Sequence, residues 1–161
     1  TLSNEDYNHI LTVIQDMTVV MEKSPSAFIK MGEEDLRSHY LVQLNGHYQG
    51  DATGETFNSR GCSDILVQHR GANVFVGECK FWTGEKGLAE TVDQLLGYIT
   101  WRDTKTAIIL FNKNKDFSAV LKQIPGVMKH ILALRRNLVR RVKQFPDTFF
   151  VILLTKTETS I

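Results

Sequence analysis

The chain has 161 residues, 42% of them hydrophobic and 23% charged, with 11 glycines, 3 prolines and a net charge of +1. Those values describe one ordinary globular domain and exclude a disordered or collagen-like chain. No apolar run approaches the roughly 20 residues of a membrane-spanning helix, so no membrane contact is expected.

Glu5 to Glu22 places Ile10, Val13, Ile14, Met17, Val20 and Met21 at helical spacing and ends at Ser24-Pro25. A second helix is predicted from Ser26 to Leu44, with Phe28, Ile29, Leu36, Tyr40, Leu41 and Leu44 on its apolar side and Asn45-Gly46 as its stop. Gly50 to Phe57 reads as a turn entering a short strand. Ile65–His69 and Asn73–Phe81 are rich in β-branched and aromatic residues and flank Arg70-Gly71-Ala72, the pattern of a hairpin. Glu85–Arg102 is helical, Lys105–Phe111 a strand, Ser118–Ile124 a helix and Phe149–Leu154 a last strand. Val127 to Phe145 is periodic enough for another helix, with Pro125-Gly126 at its start. The order α-α-β-β-β-α-β-α-(α)-β describes a single mixed α/β domain.

Charge is distributed unevenly. Residues 1–60 carry a net −5 and residues 113–161 a net +7. A basic C-terminal third favours a polyanionic partner. On one helix over 127–145, Lys129, Arg136, Arg140 and Lys143 form a stripe opposite the apolar face, fit to follow a nucleic-acid backbone or simply to face solvent. The two cysteines, Cys62 and Cys79, are too few for a zinc quartet and read as reduced thiols. With no secretory signal ahead of the first helix, a cytoplasmic location is expected. The five histidines show no ligand spacing along the chain, and none is assigned a metal.

The chemically informative stretch runs from Asp64 through Glu78-Cys79-Lys80. Alternation on the second hairpin strand puts Val74, Val76, Glu78 and Lys80 on one face. Two charges on a face otherwise lined by valines are costly unless paired or metal-bound. Asp64 falls opposite Glu78 only if the hairpin loop holds an odd number of residues, three at Arg70-Gly71-Ala72; a two-residue loop turns Asp64 to the wrong face. Two carboxylates and an ammonium then converge, a hard-oxygen site of the kind Mg²⁺ prefers. A strand-end ion-pair cluster is the plainer alternative.

Asp64, thirteen intervening residues, then Glu78-Cys79-Lys80 on a hairpin between a helix and an α-β unit resembles the PD-(D/E)XK nuclease superfamily. Ser63 stands where that family usually has proline. Gln94-Leu95-Leu96-Gly97-Tyr98 is similar to the Q-x-x-x-Y element of its RecB-like branches. The resemblance covers about residues 26–111 and implies a restriction-endonuclease-like core, a central mixed sheet of about four to five strands flanked by helices.

It also implies roles. Asp64, Glu78 and the backbone carbonyl of Cys79 would hold Mg²⁺, with Mn²⁺ able to substitute. Lys80 would assist the attacking water and Gln94 would orient Lys80 or a group on the scissile side. A glutamate of the preceding helix often joins the metal in this family; Glu34 fits its pattern, with Glu33 fitting less well. Tyr98 would touch the substrate backbone. Beyond the motif, Trp82 and Arg102 are suited to stacking or phosphate contact and Lys86 to phosphate; packing or solvation serves each equally.

The expected activity is metal-dependent hydrolysis of phosphodiester bonds in DNA, favoured over RNA. By resemblance, the setting is the effector domain of a larger bacterial defence protein. A chain opening on Thr1-Leu2 fits a domain excised from such a protein, with a further domain or regulatory partner. The helix over residues 1–25 would then be a linker or a dimer arm, and residues 26–161 the nuclease-like domain. A catalytically silent nucleic-acid-binding module of the same fold is the alternative.

Overall fold

The computed structural model describes residues 3–48, 52–54, 56–58, 61–69, 72–98, 105–114, 116–134 and 150–156. Helices α1 (Asn4–Lys23), α2 (Pro25–Phe28) and α3 (Glu33–Tyr48) precede the strands β1 (Ala52–Thr53), β2 (Thr56–Asn58), β3 (Gly61–Ser63), β4 (Ile65–His69) and β5 (Ala72–Phe81). Helix α4 (Glu85–Tyr98), strand β6 (Lys105–Asn112), helix α5 (Phe117–Leu134) and strand β7 (Phe150–Lys156) follow.

The main sheet has the order β1-β4-β5-β6-β7, and β2 and β3 form a separate two-stranded ribbon. Its centre is mixed: β4 runs antiparallel to β5, whereas β5 and β6 are parallel and joined through α4. Every residue of β6 is buried, as a central strand covered on both faces requires. Alternation divides the side chains between two cores. Ile65, Val67, Phe75, Cys79, Ala107, Ile109 and Phe111 pack toward α1, α2 and α3. Leu66, Val76, Ile108 and Leu110 pack toward α4 and α5. The result is a three-layer α/β/α arrangement.

Helix α1 is one of those layers. Ser3 caps it, its side chain accepting from the N–H of Asp6 at 3.0 Å. Its stripe Ile10, Val13, Ile14, Met17 and Met21 is buried in the core shared with the sheet. Tyr7 donates to the carbonyl of Thr106 at 2.7 Å, and Thr18 meets Tyr40 of α3 at 3.0 Å. A linker or dimer arm needs that stripe free, and here it is already covered.

The helix expected over Ser26–Leu44 is two helices. Pro25 opens α2, whose last turn closes with the N–H of Met31 on the carbonyl of Phe28, and α3 starts afresh at Glu33. Asn45-Gly46 does not stop α3, which continues to Tyr48; the Asn45 side chain instead accepts from the N–H of Ala52 at 3.0 Å. Pro125 does not divide the C-terminal helices either. It lies exposed inside α5, where it removes the helical partner of the Leu121 carbonyl, and Leu121 is itself exposed. Of the basic stripe, Lys129 is exposed on α5, and Arg136, Arg140 and Lys143 lie outside the described residues.

The hairpin has the expected register by a different route. Ile65 pairs with Gly77, Leu66 with Val76 and Val67 with Phe75, the phase that puts Asp64 opposite Glu78. A register shift between Val67 and Gln68 then moves the pairing by one, so that His69 faces Ala72 and only two residues separate the strands. A β-bulge, not a three-residue loop, thus sets the phase. Arg70 and Gly71 lie outside the described residues. After β5, Gly84 turns the chain into α4 with φ at 101°, a conformation that favours glycine.

Candidate active site

Asp64, the residue before β4, uses both carboxylate oxygens. Oδ1 pairs with the Arg37 guanidinium at 3.0 Å, and Oδ2 accepts from the backbone N–H of Cys79 at 2.8 Å. The second bond ties Asp64 to β5 beside Glu78. Gly54 closes over this pair: a Cβ there would lie 2.7 Å from Cδ1 of Leu41, 3.4 Å from the Asp64 carbonyl and 3.5 Å from Nε of Arg37.

Glu78 is 1% exposed, and its Oε1 has no hydrogen-bond partner. Burial pushes its carboxyl up to about 9; the neighbouring Asp64 charge adds to that, and Lys80 opposes it. Such a carboxyl is protonated at neutral pH unless a cation arrives beside it. Cys79 faces the opposite core, buried as a free thiol and pushed well above the usual thiol range, which makes its sulfur inert.

Lys80 shares the face of Glu78 one residue pair further along β5 and is about half exposed. Its Nζ lies 3.2 Å from Oε2 of Glu33, whose Oε1 accepts from the backbone N–H of Phe81 at 2.9 Å. The first turn of α3 thus clamps the end of β5. It does so through Glu33, while Glu34 is exposed with its carbonyl bonded to Ser38. The helix carboxylate at this edge is Glu33. Glu33 and Arg37 are four residues apart, so one helix face delivers both to the sheet edge.

Lys113, the first residue after β6, completes the edge. Its Nζ sits 4.2 Å above the Phe81 ring and donates to the carbonyl of Met31 at 3.4 Å. Buried Asn112 shapes the loop that presents it, donating to the carbonyl of Asn114 and accepting from its N–H. Sequence reading passed over Arg37 and Lys113 because neither belongs to a motif.

The remaining candidates lie apart from this group or outside the description. Gln94 is exposed on α4, and Tyr98 ends that helix. Trp82 is half-buried against the α4/α5 core, its backbone N–H bonded to the carbonyl of Phe111 at 2.8 Å. Lys86 is exposed and pairs with Glu90 one helical turn on. Arg102 lies outside the described residues.

Among the described residues, no three His, Cys, Asp or Glu side chains form a group that could hold a metal ion. Asp64 and Glu78 are a pair. Yet the orphaned Oε1 and the raised carboxyl of Glu78 fit a cation, because a divalent ion would supply both a partner and the charge that ionises it.

The chain matches no family model, no curated protein and no solved structure. The likeness to PD-(D/E)XK nucleases rests on the residues quoted above. Among the described residues, no helix is long and apolar enough to cross a membrane.

Proposed function

We propose that this domain is a metal-dependent phosphodiester hydrolase acting on nucleic acid, with DNA as the favoured substrate. The observation that carries the reading is Glu78: a fully buried carboxyl beside Asp64 with an unpartnered oxygen, on the same strand face as a lysine. A core carboxyl left unsatisfied destabilises the fold, so function is the readiest reason for its presence.

Asp64, Glu78 and the Cys79 carbonyl would hold Mg²⁺ or Mn²⁺, with water completing the shell. The bound metal would supply Lewis acidity to a phosphoryl oxygen and a nucleophilic water. The protein's own groups do the positioning. The Cys79 N–H fixes the Asp64 carboxylate, and Glu33 holds the Lys80 ammonium at the strand end, where it can orient a water or neutralise charge on phosphate. Lys113 adds a second cation to that edge.

Plasmid cleavage with Mg²⁺ or Mn²⁺ against EDTA, comparing the chain with Lys80→Ala, tests the proposal. Metal-dependent cutting that the substitution abolishes is the expected result. Absence of both cutting and metal binding would overturn it.

One observation favours a second reading. Arg37 already neutralises Asp64, and Glu33 already neutralises Lys80, as in a catalytically silent nucleic-acid-binding module or an ion-pair cluster. A silent module binds DNA equally well in EDTA, and an ion-pair cluster binds neither DNA nor Mg²⁺. Placement in a bacterial defence protein, a partner domain and a cytoplasmic setting remain part of the proposal.

A further inference from the structure

Helices α1 and α3 run antiparallel, with Thr18 against Tyr40 at mid-length and His9 against His47 at one end. That end lies some fourteen residues along α3 from Glu33, about 21 Å at the helical rise, so it is separate from the sheet edge. Both histidines are exposed. Their ring centres are 5.1 Å apart and their planes nearly perpendicular, at 85°.

We propose that His9 and His47 form a two-histidine site for a divalent transition-metal ion, Zn²⁺ being the reference case. Two imidazoles bound through nitrogen to one tetrahedral zinc ion, at about 2.0–2.1 Å each, hold their ring centres roughly 5.2 Å apart. The ring-centre separation across the two helices equals that of a chelating pair, so side-chain rotation alone, with no movement of the helices, is enough to aim both nitrogens at one ion. Protonated imidazoles at this distance repel, whereas neutral ones share a cation.

The neighbouring tyrosine prepares one ring. The Tyr48 hydroxyl is 3.4 Å from the carbonyl of Asp6, a long contact. Its oxygen lies 2.8 Å from Nδ1 of His9, and in the tautomer with the imidazole proton on Nδ1 it accepts that N–H. In that tautomer the lone pair is on Nε2, and zinc binding through Nε2 selects it. A ligand histidine whose other nitrogen donates to a fixed acceptor is the usual support for a metal site. Among the described residues, no carboxylate or thiol joins the pair as a third ligand. Water fills the remaining positions, and soft or borderline ions are preferred over Mg²⁺.

Such an ion would tie the start of α1 to the end of α3, so binding stabilises the folded chain. Calorimetric titration and thermal unfolding of the full chain with ZnCl₂ near neutral pH test this. Zinc should raise the melting temperature by several degrees in the chain and in Glu78→Gln. His9→Gln or His47→Gln should each abolish the shift, with little change in metal-free melting because both side chains are exposed. Tyr48→Phe should weaken zinc binding by about tenfold, through loss of the hydrogen bond that orients the ring. No zinc uptake by the chain overturns the proposal. So does a shift that persists in both histidine variants, or one that disappears only with Glu78→Gln, which would place the ion at the carboxylate pair.

Discussion

The Arg37 guanidinium lies 3.0 Å from Oδ1 of Asp64, on the carboxylate that the proposed function assigns to a metal. A fixed organic cation thus stands where an inorganic one would compete. Arg37→Met should raise Mg²⁺ affinity several-fold. It should also lower stability by roughly 1–3 kcal/mol, the usual loss when a partly buried charge is left without its partner. Mg²⁺ titration beside urea unfolding reads both effects. Unchanged or weaker Mg²⁺ binding would show that Arg37 does not compete.

Glu78 makes the stability depend on pH. Its carboxyl titrates near 9 when folded, against 4.5 ordinarily. Between those values the folded state holds a proton that the unfolded state has released. Stability contributed by the protonated form is complete below the unfolded value and is lost as pH rises through the folded one. Metal-free protein should therefore melt at lower temperature at pH 8.5 than at pH 5.5, and Glu78→Gln should flatten that part of the profile. An identical slope in the variant would assign the dependence to other groups.

Lys113 is held between the Phe81 ring and the Met31 carbonyl, and under the proposed function it would touch substrate phosphate. Lys113→Ala should weaken DNA binding and reduce the slope of log affinity against log salt by about one, while leaving the cleavage rate at saturating DNA near that of the parent. Fluorescence anisotropy across a salt series measures the first two. An unchanged salt slope would remove Lys113 from the interface.

Val13 and Met17 are each 6% exposed. Val13→Glu or Met17→Glu buries an unpaired charge, so either should destabilise the domain by several kcal/mol, read as loss of the cooperative unfolding transition. A variant that stays folded and changes only its oligomeric state would restore the dimer-arm reading of α1.

Tyr7 joins α1 to the sheet through the Thr106 carbonyl, and burial raises its hydroxyl to about 12. Tyr7→Phe should cost about 1–3 kcal/mol in urea unfolding, because the buried carbonyl loses its donor. A change below about 0.5 kcal/mol would mean that another group satisfies it.

The core was legible in the sequence wherever burial follows a strict period. The stripe of α1 and the continuous apolar run of β6 both lie where their patterns put them. The phase of Asp64 against Glu78 was legible too, because a charge facing the wrong way is too costly to tolerate. Its cause was not, since the bulge at Val67/Gln68 leaves no mark in residue type. Glu33 and Glu34 are chemically identical neighbours, and only the docking angle of α3 selects between them. His9 and His47 are far apart in the chain, and it is helix packing that makes them adjacent.

The register shift at Val67/Gln68 also divides the hairpin into two parts. Below it, Glu78 is locked between Asp64 on one side and Ile108 of β6 on the other, and a slip of one residue would carry a charge through the sheet. Above it, the pairing has already yielded one residue. The hairpin tip can gain or lose a residue there without disturbing the charged edge. A change in loop length there would alter pairing only above the shift, leaving the register of Asp64 against Glu78 in place.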